Sequence, residues 1–368
     1  MSLLVATFMA SLLSTQVGGQ EIAPVVVPEE PTCPQCTVRV QTLFTAGGAN
    51  GSPRITTIPA SLVVDKANRL WVFGGDAPVI FDSTGREIGT VALSRTRGAA
   101  LNVYDASAGG DSVVVLDQTS QSAFVLGPDL KHVREIPFDL PLAGARILRW
   151  PDFVAGVGLL PSLPARGWPI HRISLAGGRA EVLESFGPGN GQLRAGTAET
   201  NNRLIAPGVG DEFWSFVPRS YRLVQWDRSL QARQVIERRP GWFSGAEGPP
   251  FGGPRTPPPA AVRAVQVDSL GLLWVFVSVP SENWPSAWPP ARPGLVEVPV
   301  SRVAYEKLYR TAIEVIDPRA GRVVARAFTD AWIYAVLPKN RAVTYATTAS
   351  GRPIVSVVSL AIDRGESR

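Results

Sequence analysis

Two cysteines, two histidines and a scatter of Asp and Asn side chains are the residues of this chain whose types and spacing could do chemistry. Cys33 and Cys36 stand in Cys-Pro-Gln-Cys, a spacing shared by redox pairs, zinc half-sites, haem attachment motifs and tight disulfides. A thioredoxin-like redox pair needs a βαβ setting, and here the flanks are Pro-rich and then strand-like. Haem attachment needs a histidine directly after the second cysteine, where Thr37 stands. Zinc needs two more ligands, and the neighbouring sequence has none. A structural disulfide is therefore the expectation for Cys33 and Cys36.

General-base chemistry and a Ser-His-Asp arrangement would fall to His132 or His171. His132 lies in the outer hairpin of the second of the repeats described below and His171 on the third strand of the third, away from any central channel, so no catalytic residue is assigned. A hard cation could be held by oxygens of Asn102, Asp105, Asn201, Asn202 and Asp268. However, Asp65, Asp105 and Asp268 are each read as ending an inner strand just before a hairpin, where an acid commonly accepts turn hydrogen bonds. Asn201-Asn202-Arg203 reads as a strand entry. No metal site and no cofactor is assigned. Gly187–Gly191 in GPGNG links strands and opens no helix, so it is a turn and not a phosphate loop; GxSxG and dinucleotide fingerprints are absent.

What must position such residues is a set of internal repeats. Residues 68–91 (NRLWVFGGDAPVIFDSTGREIGTV), 111–136 (DSVVVLDQTSQSAFVLGPDLKHVREI) and 211–236 (DEFWSFVPRSYRLVQWDRSLQARQVI) share one pattern. An apolar strand, a short turn, a second strand, a polar hairpin and a third strand follow in order. Residues 271–276 reopen it, and 311–328 complete it after an insertion. Trp71, Trp214 and Trp274 occupy matching places, with Val114 in the second copy. A further short strand precedes each copy, at 61–65, 101–104, 202–206 and 262–268. Four antiparallel strands make a propeller blade. A weaker unit spans 146–185, and a last one, with only three strands, spans 332–362. Residues 37–44 (TVRVQTLF) have no unit of their own and would supply its missing outer strand. The fold class expected is all-β: a six-bladed β-propeller of four-stranded antiparallel blades, its ring closed by an N-terminal strand joining the last blade and covering an open edge.

These segments resemble the NHL/TolB-like six-bladed propeller superfamily of exported bacterial proteins. The likeness is carried by LVVDKANRLWV (62–72), SFGPGNGQ (185–192), YRLVQWD (221–227) with PGWF (240–243), and AIEVIDPRAGR (312–322), and covers nearly the whole chain after residue 36. The resemblance implies an exported propeller. Members include binding modules and a few enzymes, so it specifies fold better than function. Propeller lactonases hold a divalent cation in the channel, so a metal-dependent hydrolase is the alternative from another class. A carbohydrate or small-ligand binder is the third.

In such a blade, the loops between second and third strands share one face of the disc with the connections between blades. Residues 159–168, 239–261 and 280–310 should emerge together there. They carry Trp168, Trp242, Phe243, Phe251, Trp284, Trp288, Tyr305 and Tyr309. Aromatic rings on stiff Pro-rich loops make interface anchors, unless the loops fold down over their own blades. These eight residues are the candidate partner face.

Residues 3–13 (LLVATFMASLL) are about half the ~20 apolar residues a spanning helix needs, which suits a signal peptide ending near residue 19. No Lys or Arg precedes them, so a short uncleaved anchor stays open. Residues 20–36 then form an N-terminal segment, and 37–368 the propeller. The net charge of +5 is almost all arginine, scattered without a basic run. That fits codon usage better than a nucleic-acid surface. The reading is a periplasmic or secreted, non-enzymatic scaffold. It would bind a protein, such as a membrane complex whose periplasmic face it occupies, and it would have no span of its own beyond the N-terminal segment.

Overall fold

The structure, a computed structural model, describes residues 22–47, 55–74, 77–91, 103–109, 111–117, 122–129, 131–137, 142–149, 152–157, 170–174, 181–186, 204–244, 256–288 and 303–365. The strands form hydrogen-bonded sheets in a β-propeller fold, each sheet taking its strands in order from the centre outward.

The first sheet is β3 (Ser61–Val64), β4 (Leu70–Phe73), β5 (Val79–Phe81) and β6 (Glu87–Thr90). The second is β7 (Val103–Gly109), β8 (Ser112–Asp117), β9 (Ser122–Leu126) and β10 (His132–Pro137). The third is β11 (Leu142–Arg149), β12 (Asp152–Val157), β13 (Ile170–Ser174) and β14 (Glu181–Phe186). The fourth is β15 (Leu204–Pro207), β16 (Phe213–Phe216), β17 (Arg222–Trp226) and β18 (Ala232–Glu237). The fifth is β19 (Ala261–Val267), β20 (Leu273–Pro280), β21 (Tyr309–Asp317) and β22 (Arg322–Thr329). The sixth is β23 (Ile333–Leu337), β24 (Arg341–Thr347), β25 (Pro353–Asp363) and, from the other end of the chain, β2 (Thr37–Gly47). β2 pairs antiparallel with β25 from Thr37↔Asp363 to Gly47↔Ile354.

The second strands β4 and β16 are buried along their whole length, reading LWVF and FWSF with every residue inside. Both faces of such a strand meet a neighbouring sheet, so the sequence is a continuous apolar run rich in β-branched and aromatic residues. Outer strands such as β6 alternate between half-buried and exposed. Apolar clusters fill the spaces between neighbours. One joins the first and second sheets through Trp71, Ile80 and Phe124. Another joins the fourth and fifth through Trp214, Leu223 and Val275. The fifth and sixth meet over Trp274 and Ala342, and the sixth and first over Val343, Val72 and Phe81.

The hairpins are set by a repeated acid. Asp65 Oδ1 accepts the Arg69 N–H at 2.9 Å and its Oδ2 the Trp71 indole N–H at 3.0 Å. Asp268 repeats the device, with Leu270 and Leu272 N–H at 2.8 and 2.9 Å and the Trp274 indole at 2.9 Å. Two of the matching tryptophans of the repeat, Trp71 and Trp274, thus have a second role besides packing: each ties its strand to the turn before it. Asp105 departs from this pattern. It was expected to precede a hairpin, but β7 runs on to Gly109, so Asp105 lies inside the strand and the turn comes after it.

One strand was not foreseen in the sequence. β1 (Val25–Val26) adds to the outer edge of the fourth sheet, parallel to β18, with Val25 opposite Ile236. The chain then passes the fifth sheet, where Thr32 N–H donates to Val323 O at 2.9 Å, and enters β2. Residues 22–36 therefore form a strap across the outer edges of three sheets. Cys33 and Cys36 are disulfide-bonded within it, packed against the core between the fifth and sixth sheets.

Candidate functional site

Two places could carry function: the central cavity and the rim where long loops emerge. The cavity holds about 520 Å³ and is lined by the inner strands β3, β7, β15, β19 and β23. Most of its wall is Ala, Val and Leu. Two polar contacts in it join neighbouring sheets. Ser61 Oγ donates to Asp105 Oδ1 at 3.3 Å, and the Ala106 N–H reaches both at 2.9 Å. Gln266 Nε2 donates to Leu337 O at 2.8 Å. Among the oxygen ligands considered in the sequence, Asp268 is committed to its turn and the Trp274 indole, and Asp105 to the Ser61 hydroxyl and the Ala106 N–H. Asn102, Asn201 and Asn202 lie outside the described residues. Among the described residues, no group of three or more His, Cys, Asp and Glu side chains gathers where a metal could sit. His132 begins the outermost strand of the second sheet and His171 is on β13, the third strand of its sheet.

The rim is richer. The connection after β18 and the insertion between β20 and β21 emerge on one face. Trp242 and Phe243, just beyond β18, pack half-buried on the core between the fourth and fifth sheets. Their rings meet at 6.3 Å and 77°, and Tyr221 lies 5.3 Å from Phe243. In the insertion, Trp284, Trp288 and Tyr305 fold inward onto the core between the sixth and first sheets. Tyr305, in the short helix α1 (Tyr305–Leu308), stacks on Trp332 at 5.7 Å. Tyr309 corrects the expectation: it is 2 % exposed, beneath the insertion, and cannot reach a partner. Burial raises its phenol pKa, against the pull of the Arg263 guanidinium over its ring. Trp168 and Phe251 lie outside the described residues.

The ring that does face outward is one the sequence reading missed. Phe328, near the end of β22, is 45 % exposed. Trp242 meets it edge-on at 5.8 Å, and the Arg310 guanidinium lies 5.4 Å over its face. Arg326 lies 5.8 Å over Trp242 in turn. The available signal was strand alternation: Val323 and Ala325 are buried in β22, which puts Arg326 and Phe328 on the opposite side.

Under this patch is a buried charge cluster. Glu314 of β21 is wholly buried and accepts from Arg238 Nη2 at 2.5 Å, Arg326 Nε at 2.8 Å and Tyr221 Oη at 2.6 Å. Arg238 also donates to the Val27 and Pro28 carbonyls, and Arg326 to that of Glu29. Burial, with the nearby Glu314 charge adding to it, pushes the Tyr221 phenol well above its ordinary pKa. The cluster therefore ties the strap to two sheets through fixed charge-assisted bonds.

No protein-family model matches the chain, and no curated protein matches it. Solved structures do. A member of the DUF4221 family from Bacteroides vulgatus aligns with a TM-score of 0.58 at 10% identity, covering 89% of this chain and 99% of that one. A putative exported protein from Bacteroides fragilis aligns with a TM-score of 0.57 at 8% identity, covering 92% and 100%. At these identities the likeness is one of fold. Among the described residues, no helix is long and apolar enough to cross a membrane.

Proposed function

We propose that this chain is an exported, non-enzymatic propeller of the NHL/TolB-like kind that binds a protein partner through the rim patch of Phe328, Trp242, Arg310 and Arg326. Its sheets serve as six blades of one ring, which β2 closes by hydrogen bonding to β25. The observation that carries the binding reading is the exposed Phe328 ring held between Trp242 and Arg310. Aromatic rings and arginines braced by their neighbours lose little freedom on docking, and they dominate the energetics of interfaces. Trp284, Trp288, Tyr305 and Phe243 act as supports that stiffen the same face.

Two rival readings have less behind them. A lactonase-like hydrolase needs free oxygen ligands around the channel, and of the residues weighed for it Asp105 accepts from Ser61 and Ala106 while Asp268 accepts turn and indole hydrogens. A glycan platform needs coplanar rings, and Trp242 meets Phe243 and Phe328 at 77° and 85°.

The test is co-purification of the tagged full chain from gently solubilised native membranes, with the partner identified by mass spectrometry. A stable partner is expected with the unaltered chain. Recovery should fall by roughly tenfold or more with Phe328→Ala, a hot-spot-sized loss, while the melting curve stays unchanged. Recovery of the chain only as a free monomer would sink the reading, as would full partner recovery with folded Phe328→Ala.

A further inference from the structure

The cavity between the inner strands is walled for an apolar guest. It holds about 520 Å³, inside the roughly 300–1,000 Å³ span of sites that take small molecules. Leu62, Ile205, Val265 and Val336 are among its lining, and Phe216 and Tyr334 are the aromatic rings of the described wall. A strongly hydrated ligand gains little against such a wall, whereas an aliphatic body leaves water favourably there.

Among the described residues, three charged side chains line it: Asp105, Arg263 and Lys339. They differ in what they already hold. Asp105 accepts from Ser61 Oγ and the Ala106 N–H, between the first and second sheets. Lys339 is exposed in the β23–β24 turn, at the hairpin end, and donates to Asn68 Oδ1 at 3.4 Å. Arg263, the third residue of β19, is half-buried at the opposite, rim end. Its Nε donates to Ser278 Oγ at 3.4 Å, and its guanidinium lies 5.7 Å from the centre of the Tyr309 ring. Both partners are neutral. Arg69, Arg238 and Arg326, also wholly or partly buried, each pair with a carboxylate, and among the described residues Arg263 has none. Drawing a guanidinium partly out of water without a counter-charge is costly, and a carboxylate paired on its fork offsets that cost. The same wall has a second donor without an acceptor. The Tyr334 hydroxyl is buried with no partner among the described residues. Trp332 connects the two, since its ring lies 5.5 Å from Tyr334 and its indole N–H donates at 3.0 Å to the Ser278 Oγ that also takes Arg263 Nε.

We infer that the cavity binds an aliphatic monocarboxylate, its alkyl body against the Ala, Val and Leu wall and its carboxylate on Arg263. An uncharged chain would leave Arg263 without a counter-charge. An aliphatic amine would meet a like charge at Arg263 and at Lys339, and Asp105 already accepts two hydrogen bonds. The site is distinct from the rim patch around Phe328. It does not depend on the partner reading, and its test uses different residues.

The experiment is calorimetric titration of the full chain with octanoate, octanol and octylammonium. Octanoate should bind at a single site, and the other two should bind more weakly by about tenfold or more. Arg263→Gln should weaken octanoate by about tenfold and leave octanol unchanged, with the melting curve preserved. Arg263→Lys keeps the charge without the planar fork and should recover part of the affinity. Phe328→Ala should bind octanoate as the unaltered chain does, which separates the cavity from the rim. The proposal is overturned if octanoate does not bind, if octanol or octylammonium matches it, if folded Arg263→Gln keeps the full affinity, or if Phe328→Ala loses it. The comparison of octanoate with octanol needs no substitution, so it decides the matter even where Arg263→Gln fails to fold.

Discussion

Tyr221 and Tyr334 are two buried phenols with opposite circumstances. The Tyr221 hydroxyl donates to Glu314 at 2.6 Å, while the Tyr334 hydroxyl is buried beside Trp332 and Tyr345 with no hydrogen-bond partner among the described residues. A buried donor bonded to a charge stabilises by about 1.5–3 kcal/mol, whereas an unmet one costs about 1–3 kcal/mol. Tyr221→Phe should therefore lose about 2 kcal/mol in urea unfolding, and Tyr334→Phe should gain about 1 kcal/mol. Burial raises both phenol pKa values above the ordinary 10.0. Below pH 10 the folded and unfolded chains both keep these protons, so stability there is indifferent to them. Above it the unfolded chain releases protons that the fold retains, and stability falls with rising pH. Each Phe variant should flatten that alkaline slope. A Tyr334→Phe protein less stable than the unaltered chain would contradict the account.

At the scale of elements, the strap is held more by charge than by strand pairing. Its strand β1 is two residues long, too short to persist alone, while Arg238 and Arg326 grip three consecutive carbonyls from Val27 to Glu29. Val27 adds a buried side chain to the core between the fourth and fifth sheets. Arg238 is itself 2 % exposed, so truncating it strands part of the Glu314 charge and frees the strap together. Arg238→Ala should cost about 3–5 kcal/mol in urea unfolding. Hydrogen exchange of the Val27 and Thr32 amides should rise before that of β18, because they lose their anchor while the sheet keeps its ladder. Equal exchange at these amides in both proteins would mean that the strap is held by something else.

The whole molecule has to join its two ends. β2 meets β25 in ten residue pairs, from Thr37↔Asp363 to Gly47↔Ile354, and Phe44 of β2 lies against Gly85 of the first sheet, where a Cβ would come within 2.6 Å of its ring. Gly85 has φ +86°, so the outer hairpin of the first sheet both turns and makes room there. Removing residues 1–47 would bare the long β25 edge and the core behind Val38 and Ala46. The shortened chain should aggregate or elute as an expanded species in size-exclusion chromatography. A compact, cooperatively melting monomer would refute the proposal that β2 closes the ring.

Much of this architecture was legible in the residues. Continuous apolar runs mark the second strands because both their faces are covered, and the repeated Asp and Trp mark the hairpins because both belong to one hydrogen-bonded turn. The pairing of residues 37–44 with the chain end could be read from a unit short of one strand. Local pattern could not decide what faces outward. Tyr309 looks like a surface anchor in the sequence, yet it is buried, whereas Phe328 drew no notice although the phase of its strand turns it to solvent. The strap was equally hidden, since two valines in a Pro-rich stretch carry no strand signal until Arg238, just beyond β18, joins Glu314 and Arg326, which face each other on β21 and β22. The sequence by itself determined the repeating unit, because turns and burial are local demands. Only the tertiary structure decided which ring, which charge and which terminus meet, because those contacts join residues far apart in the chain.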